Sequence, residues 1–384
     1  MKKILKLSES IESKFSNLAR EKNLKKQKIH SLGLGEPYFN TPKNISETAF
    51  DSILNGNTRY SNSFGKFELR RLISKKINSN LHINSNFNNI LITPGSKFAL
   101  YLALKSILQP NDKVLNFKPC YPSYEPQILL SEPSAKILNY DLEKNYDLDF
   151  RKLKKLFSNN IKAIIVNSPN NPTGKIFTSK ELSQLLKLAK KNNSWIVFDS
   201  IYEDLDYLNN RVKIPMTLLN YKNFIYLGGF SKSFSMTGWR LGYSFTKNNI
   251  LNYMNKINQH LITNIPVFIQ DAGIEALKNN KKDIRNFNKI LKLNYNYLYS
   301  KLLTYKFHTP KFIGGMFVFL DISRYKLKSD IFCEKLLINE KVACTPGIFF
   351  GENWDTHIRI SLSSDHKDFI KAVEKFFSFI DNLK

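Results

Sequence analysis

The chain has 384 residues, 42% of them hydrophobic, a size and balance that suit two folded domains around a substantial core. Its formal charge is +26, from 58 Lys plus Arg against 32 Asp plus Glu, and the basic residues run along the whole length. Such an excess suggests an anionic partner, but there is no zinc-finger spacing, no aromatic RNA-binding stretch and no basic tail, so no nucleic-acid partner is expected. No apolar run approaches the roughly 20 residues of a membrane span, and no membrane partner is expected. Met1 to Ser8 resembles a leader only briefly. Lys6 interrupts its apolar stretch and Glu9, Glu12 and Lys14 follow, so a cytoplasmic protein is expected. Cys120, Cys333 and Cys344 are odd in number and far apart, which argues against a disulfide framework or a zinc site. The six histidines have no metal-ligand spacing.

In chain order, seven short β-rich runs are expected at Asn89–Thr93, Lys113–Phe117, Ala135–Tyr140, Ile161–Asn167, Trp195–Asp199, Asn223–Leu227 and Leu241–Phe245. Between them lie amphipathic runs such as Ser96–Leu108 and Ser179–Asn192, with apolar residues recurring at three and four. This alternation predicts an α/β domain with a mostly parallel sheet. A long basic, helix-patterned stretch follows from Lys247 to Leu303. Then come a Gly314-Gly315 turn, a β-like run Met316–Asp321 and a final helix from Asp365. This end reads as a smaller α+β domain. The expected division is 1–47 as an N-terminal arm and part of the small domain, 48–288 as the large domain, and 289–384 as the small C-terminal domain. The Asn-rich patches at Asn78–Asn89 and Asn209–Asn210 read as loops.

Ligands of a parallel α/β sheet bind outside the carboxyl ends of its strands. The segments leaving those ends are Thr93-Pro94-Gly95-Ser96-Lys97, Pro119-Cys120-Tyr121-Pro122-Ser123-Tyr124, and Ser168 through Asn171-Pro172-Thr173-Gly174. Asp199 follows with Tyr202, then Gly228-Gly229-Phe230-Ser231-Lys232 and Thr237-Gly238-Trp239-Arg240. Each residue type has a task if the guest is a phosphorylated aromatic aldehyde. Backbone N–H groups of Gly95, Ser96 and Lys97 at a helix start can hold a phosphate, and Arg240 can add a bidentate contact. Tyr121 offers a face for stacking. Asn171 and Tyr202 can hydrogen-bond a phenolic oxygen, and Asp199 can keep a ring nitrogen protonated. Lys232 supplies an amine for an imine. No dinucleotide fingerprint, Walker loop, nucleophile elbow or His-Glu-x-x-His motif is present.

The stretch Ser231-Lys232-Ser233-Phe234-Ser235-Met236-Thr237-Gly238-Trp239-Arg240-Leu241-Gly242-Tyr243 resembles the cofactor-lysine signature of the class I/II pyridoxal-phosphate-dependent aminotransferases. The likeness covers almost the whole chain in order. Gly33-Leu34-Gly35-Glu36-Pro37 resembles the N-terminal substrate loop of that family, and Asn171-Pro172-Thr173-Gly174 and Asp199/Tyr202 match as well. Tyr60, ahead of Gly65 and Glu68-Leu69-Arg70, stands where the family has a tyrosine reaching the neighbouring subunit's phosphate. Pro346-Gly347 through Arg359-Ile360-Ser361 resembles the segment whose arginine grips a substrate carboxylate. The resemblance implies fold type I, pyridoxal 5'-phosphate (PLP) held by Lys232 as a Schiff base, and a homodimer with shared active sites. It also implies an amino acid and a 2-oxo acid, 2-oxoglutarate among them, as substrates.

The catalytic residues it implies are Lys232, Asp199 and Tyr121. Cofactor contacts come from Gly95, Ser96, Lys97, Tyr121, Asn171, Asp199, Tyr202, Ser231, Lys232, Arg240 and Tyr60, and substrate contacts from Gly35, Asn171 and Arg359. One departure is Gly229, three residues before the lysine, where many family members carry a phosphate-binding Ser or Thr. Another is Tyr121, where aspartate-preferring members often carry Trp. Two alternatives stay open at this point: elimination, decarboxylation or cyclisation on the same cofactor, and a regulator that senses PLP.

Overall fold

The computed structural model describes residues 28–308 and 314–383, so the reading of the first residues as no leader lies outside the described part. Twelve strands occur there. They are β1 (His30–Ser31), β2 (Ile90–Thr93), β3 (Lys113–Lys118), β4 (Lys136–Asp141), β5 (Ile161–Asn167), β6 (Trp195–Asp199), β7 (Phe224–Gly229), β8 (Gly242–Phe245), β9 (Phe317–Asp321), β10 (Val342–Ala343), β11 (Thr345–Pro346) and β12 (His357–Ser361). Seven form one sheet in the order β2-β8-β7-β6-β5-β3-β4, with β8 antiparallel to both its neighbours and the other pairings parallel. The seven expected runs match these strands to within a residue at each end, except that β7 runs two residues past the expected Leu227, to Gly229. β5 reads Ile-Lys-Ala-Ile-Ile-Val-Asn and is buried nearly throughout, as a parallel strand covered on both faces must be.

Helices cover the two faces and enclose separate apolar clusters. One holds Ile164, Phe198, Tyr226 and Phe245. The other holds Leu91, Ala103, Ile165, Val197 and Leu227. Alternate residues of β5, β6 and β7 thus supply opposite clusters, following the period of two. The helix Ser179–Asn192 begins on a capping box, Thr178 Oγ1 accepting from the Glu181 N–H, and ends on Asn193 in the left-handed region with Lys190 and Lys191 in its last turn. Around Asn78 the sequence reading needs correction. The helix Phe67–Leu81 runs through it, and Asn78 spends its side chain on the Ser85 N–H and carbonyl. The Lys247–Leu303 stretch is three helices, Ile250–Ile262, Val267–Asn279 and Lys281–Thr304.

A third cluster, with Phe317, Leu320, Phe332, Ile358, Ile360 and Phe376, belongs to the C-terminal part. There β11, β12 and β9 form an antiparallel sheet, and β1 pairs with β10 in parallel, His30 opposite Val342. The chain's N-terminal side is therefore built into its C-terminal part. The final helix, His366–Asp381, starts on Asp365, whose carboxylate accepts from the Lys367 and Asp368 N–H groups. Among the described residues no helix is long and apolar enough to cross a membrane.

One ion cluster crosses the large part. Lys76 Nζ lies 2.8 Å from Glu203 Oε1 and 2.7 Å from Asp204 Oδ2, all three side chains largely buried. Burial alone would raise the Asp204 carboxyl, but the Lys76 charge holds it below its ordinary value. A depressed carboxyl stabilises the fold above its unfolded pKa, and that stability is lost as pH falls through the folded value. Removing one partner of a buried pair strands the others, so Lys76→Met should cost about 3–5 kcal/mol in urea unfolding at neutral pH. That deficit should shrink as acid neutralises the stranded carboxylates. A cost below about 1 kcal/mol would place the cluster with ordinary surface pairs.

Candidate active site

The carboxyl ends of the central strands are level. Asn167 stands opposite Asp199 and Asp199 opposite Leu227, while Thr93 stands opposite Gly242 on the antiparallel side. Segments leaving these ends therefore share one edge of the sheet.

At one corner Gly95, with φ +82°, turns β2 into the helix Ser96–Ile107. The first N–H groups of a helix lack partners within it, and its dipole makes that end positive. Gly242 packs directly on this turn: a Cβ there would lie 2.4 Å from the Gly95 carbonyl carbon and 2.5 Å from the Ser96 nitrogen. Arg240, with φ +56°, places its guanidinium beside Gly95, where an added Cβ would stand 2.6 Å from Nη2. The same guanidinium donates from Nη1 to the Thr237 carbonyl at 2.8 Å. Ser231 is buried nearby in sequence, and Lys97 is exposed with its ammonium 5.4 Å from the centre of the Tyr121 ring. Helix start and guanidinium together suit a phosphate. A Cβ at Gly229 would come within 2.8 Å of Ile201 Cδ1, the end of a flexible side chain.

At the centre, Asp199 is buried at the end of β6. Its Oδ2 accepts from the Tyr124 hydroxyl at 2.7 Å and its Oδ1 from the Ile201 N–H at 3.2 Å. Burial pushes its carboxyl above the usual range, and the Tyr124 bond, the Ile201 amide and the Lys232 charge counter only part of that. A desolvated carboxylate of this kind favours a cation beside it. Burial, then the Asp199 charge, hold the Tyr124 hydroxyl well above its ordinary pKa, so it remains a donor. Lys232 Nζ donates to the Gly35 carbonyl at 2.5 Å, which brings the Gly33–Pro37 loop onto the lysine. Tyr121 and Tyr124 meet edge to face at 5.6 Å, and Tyr202 packs on Phe317 at 5.7 Å.

At the far side, Arg359 of β12 is 1% exposed. It donates to Asn171 Oδ1 at 2.9 Å, to the Gly33 carbonyl at 2.8 Å and to Thr345 Oγ1 at 3.3 Å. Its guanidinium also lies 4.2 Å from the centre of the Phe317 ring. Asn171 is itself fixed by its N–H on Asn167 Oδ1 at 2.8 Å. This arginine bridges the C-terminal sheet, the N-terminal loop and the segment after β5.

Gly95, Ser96 and Arg240 are thus together, as are Asp199 with Lys232 and Arg359 with Asn171. Tyr60 is not among them: it is 87% exposed in the loop between helices Lys43–Leu54 and Phe67–Leu81. The sequence reading missed Tyr124 and Thr345. Tyr124 was visible as a second tyrosine three residues after Tyr121, whereas Thr345 sits on a two-residue strand that no periodicity reveals. Among the described residues no cluster of His, Cys, Asp and Glu could hold a metal.

The sequence profile of the family described as aminotransferase class I and II matches residues 27–376. The chain belongs to this family. An aminotransferase named as a probable aspartate aminotransferase, from Methanocaldococcus jannaschii, is 33% identical over 91% of this chain and 93% of its own length. The aspartate aminotransferase of Thermotoga maritima is 31% identical over 93% of each chain. Its crystal structure superposes with a TM-score of 0.90, at 28% identity, covering 99% of this chain and 100% of its own. The aromatic aminotransferase of Pyrococcus horikoshii superposes with a TM-score of 0.86, at 28% identity, over 94% of this chain and 98% of that one. The protein is a fold type I transaminase, and its cofactor is PLP. The residues present fit that group: a helix start and Arg240 for its phosphate, buried Asp199 for a ring nitrogen, and the Lys232 amine close enough to act on the Asp199 charge.

The tight seat of Gly242 on Gly95 and Ser96 gives a prediction. Gly242→Ala should cost about 1–3 kcal/mol through overpacking. It should also weaken PLP retention in dialysis, because the displaced groups are those of the phosphate corner. Unchanged retention would separate that corner from cofactor binding.

Proposed function

We propose that this transaminase moves an amino group from an L-amino acid to 2-oxoglutarate or a similar 2-oxo acid, with Lys232 as the reacting amine. The observation that carries the reading is Lys232 placed between the buried Asp199 carboxylate and the Gly35 carbonyl, with Arg359 fixed across the site. When bound, PLP supplies the electron sink that stabilises negative charge at the substrate's α-carbon. Lys232 Nζ would take the proton from that carbon as general base and give it up again as general acid. Asp199, backed by Tyr124, would keep a proton on the ring nitrogen. Tyr121 would stack on the ring, and Asn171 and Tyr202 would hydrogen-bond its phenolic oxygen. Gly95, Ser96, Lys97, Ser231 and Arg240 would hold the phosphate.

Arg359 grips the substrate's α-carboxylate, with Gly35 and Asn171 beside it. A bidentate grip fixes which bond of the α-carbon stands perpendicular to the ring, and so favours loss of the proton. Aspartate is the first donor to test, because two of the relatives named above are an aspartate aminotransferase and a probable one, and an aromatic amino acid is the second, after the aromatic aminotransferase.

The reading includes a homodimer with shared sites. Tyr60 is too exposed to serve its own site, and Phe50, Leu54, Phe67, Tyr253 and Leu261 are exposed apolar residues of the same chain. An open hollow of about 510 Å³ beside Lys97 and Arg240, with Phe98, Leu130 and Leu261 on its walls, offers room for a second subunit's side chain. The division 1–47, 48–288 and 289–384 is part of the same reading, supported by a cluster around Phe332 that draws most of its members from the last segment, with Leu32 from the first. So is a cytoplasmic location, which the free, buried Cys120, Cys333 and Cys344 favour.

Two outcomes test the residues. Lys232→Ala should abolish turnover while the fold persists by circular dichroism; substantial residual transamination would sink the assignment. Arg359→Ala should lower kcat/KM for the amino acid by roughly 100-fold or more, the loss expected of a charged hydrogen-bonded contact. A smaller effect than about tenfold would move the carboxylate grip elsewhere.

A further inference from the structure

Lys232 sits in a turn with no regular secondary structure, closed by the Phe234 N–H on the Phe230 carbonyl at 3.1 Å. A long flexible side chain on such a turn aims only as well as its backbone is held. Side chains hold it from two sides. On one, Thr41 Oγ1 donates to the Ser235 carbonyl at 2.7 Å, and Ser235 Oγ donates to the Phe39 carbonyl. On the other, Ser233, the residue after Lys232 and 1% exposed, donates to Asp204 Oδ2 at 2.7 Å.

Asp204 is no casual acceptor. The same Oδ2 receives Lys76 Nζ, which also binds Glu203, and Glu203 in turn accepts from the Tyr226 hydroxyl of β7. The Asp204 carbonyl accepts from Asn288 Nδ2 at 2.8 Å. A buried charge tied to three elements is a stiff anchor, and it holds the lysine turn through the Ser233 hydroxyl. None of these residues belongs to the phosphate corner, the Asp199 centre or the Arg359 grip.

We propose that Asp204, clamped by Lys76, is a positioning residue that fixes the direction of the Lys232 amine through Ser233. The proposal rests on Lys232 being the reacting amine. Reacting groups must be held within roughly 0.5 Å of their productive place, and the Ser233–Asp204 bond fixes the backbone next to the reacting side chain. A merely structural cluster would change stability and leave the chemistry of Lys232 alone.

The test uses the PLP-loaded Ser233→Ala enzyme. This substitution leaves Asp204 paired with Lys76 and removes only the link. The first readout is the pH midpoint of the resting enzyme's visible absorption, which reports protonation at the Lys232 nitrogen. That midpoint should be displaced by about half a pH unit or more. The second is the kinetic split: kcat should fall roughly tenfold while KM for the amino acid stays within about twofold. Ser233→Thr, which keeps the hydroxyl, should restore both. Lys76→Met, with Ser233 intact, should move the midpoint in the same direction as Ser233→Ala. A wild-type midpoint in both variants, with kcat for Ser233→Ala within about twofold, would overturn the proposal. A wild-type enzyme without any such band would instead overturn the reading of Lys232 beneath it.

Discussion

A carboxylate at the buried end of a central strand has to find positive charge or give up its own. Asp199 is in that position: desolvation drives its carboxyl upward, and the Tyr124 hydroxyl and Ile201 amide offset only part of the effect. Most of the candidate site is arranged around that deficit. The Lys232 charge is the cation already present, and a protonated ring nitrogen would be a second one. The helix start at Ser96 and the Arg240 guanidinium meet the opposite need, an anion for a positive corner. A ligand with a basic ring nitrogen at one end and a phosphate at the other satisfies both.

The level strand ends make this possible in one place, and Arg359 ties that place to the rest of the molecule. Three of its hydrogen-bond partners come from three separate stretches of chain, Gly33, Thr345 and Asn171. Because β1 pairs with β10, the Gly33–Pro37 loop is anchored to the C-terminal part at one end and touches Lys232 at the other. Any shift of the C-terminal sheet is therefore felt at the lysine. That chain of contacts joins Arg359 and Lys232 through one loop.

Much of the large part was legible beforehand, because parallel strands are short apolar runs whose ends are marked by glycine, proline and the chemistry-bearing residues themselves. Asp199, Lys232, Arg240 and the Gly95 turn stand beside such ends, so position along the sequence predicts position in space. The C-terminal assembly was not legible in this way. Its strands β1, β10 and β11 are two residues each, too short for any period, and the pairing of β1 with β10 spans over 300 residues of chain. Lys76 was opaque for another reason. In an amphipathic helix of a lysine-rich chain it reads as one more solvated charge, and only the distant Glu203-Asp204 pair makes it buried. At Asn78 a cluster of asparagines suggested a loop, but hydrogen bonds to Ser85 let the helix continue past it.

The most direct test of the whole account is to trap the cofactor on the protein. The PLP-loaded enzyme is reduced with borohydride, digested and mapped by mass spectrometry. The account predicts one pyridoxyl modification, on the peptide carrying Lys232, and its disappearance when an amino acid is added before reduction. Modification of another lysine, or none on a protein that has bound PLP, would contradict it.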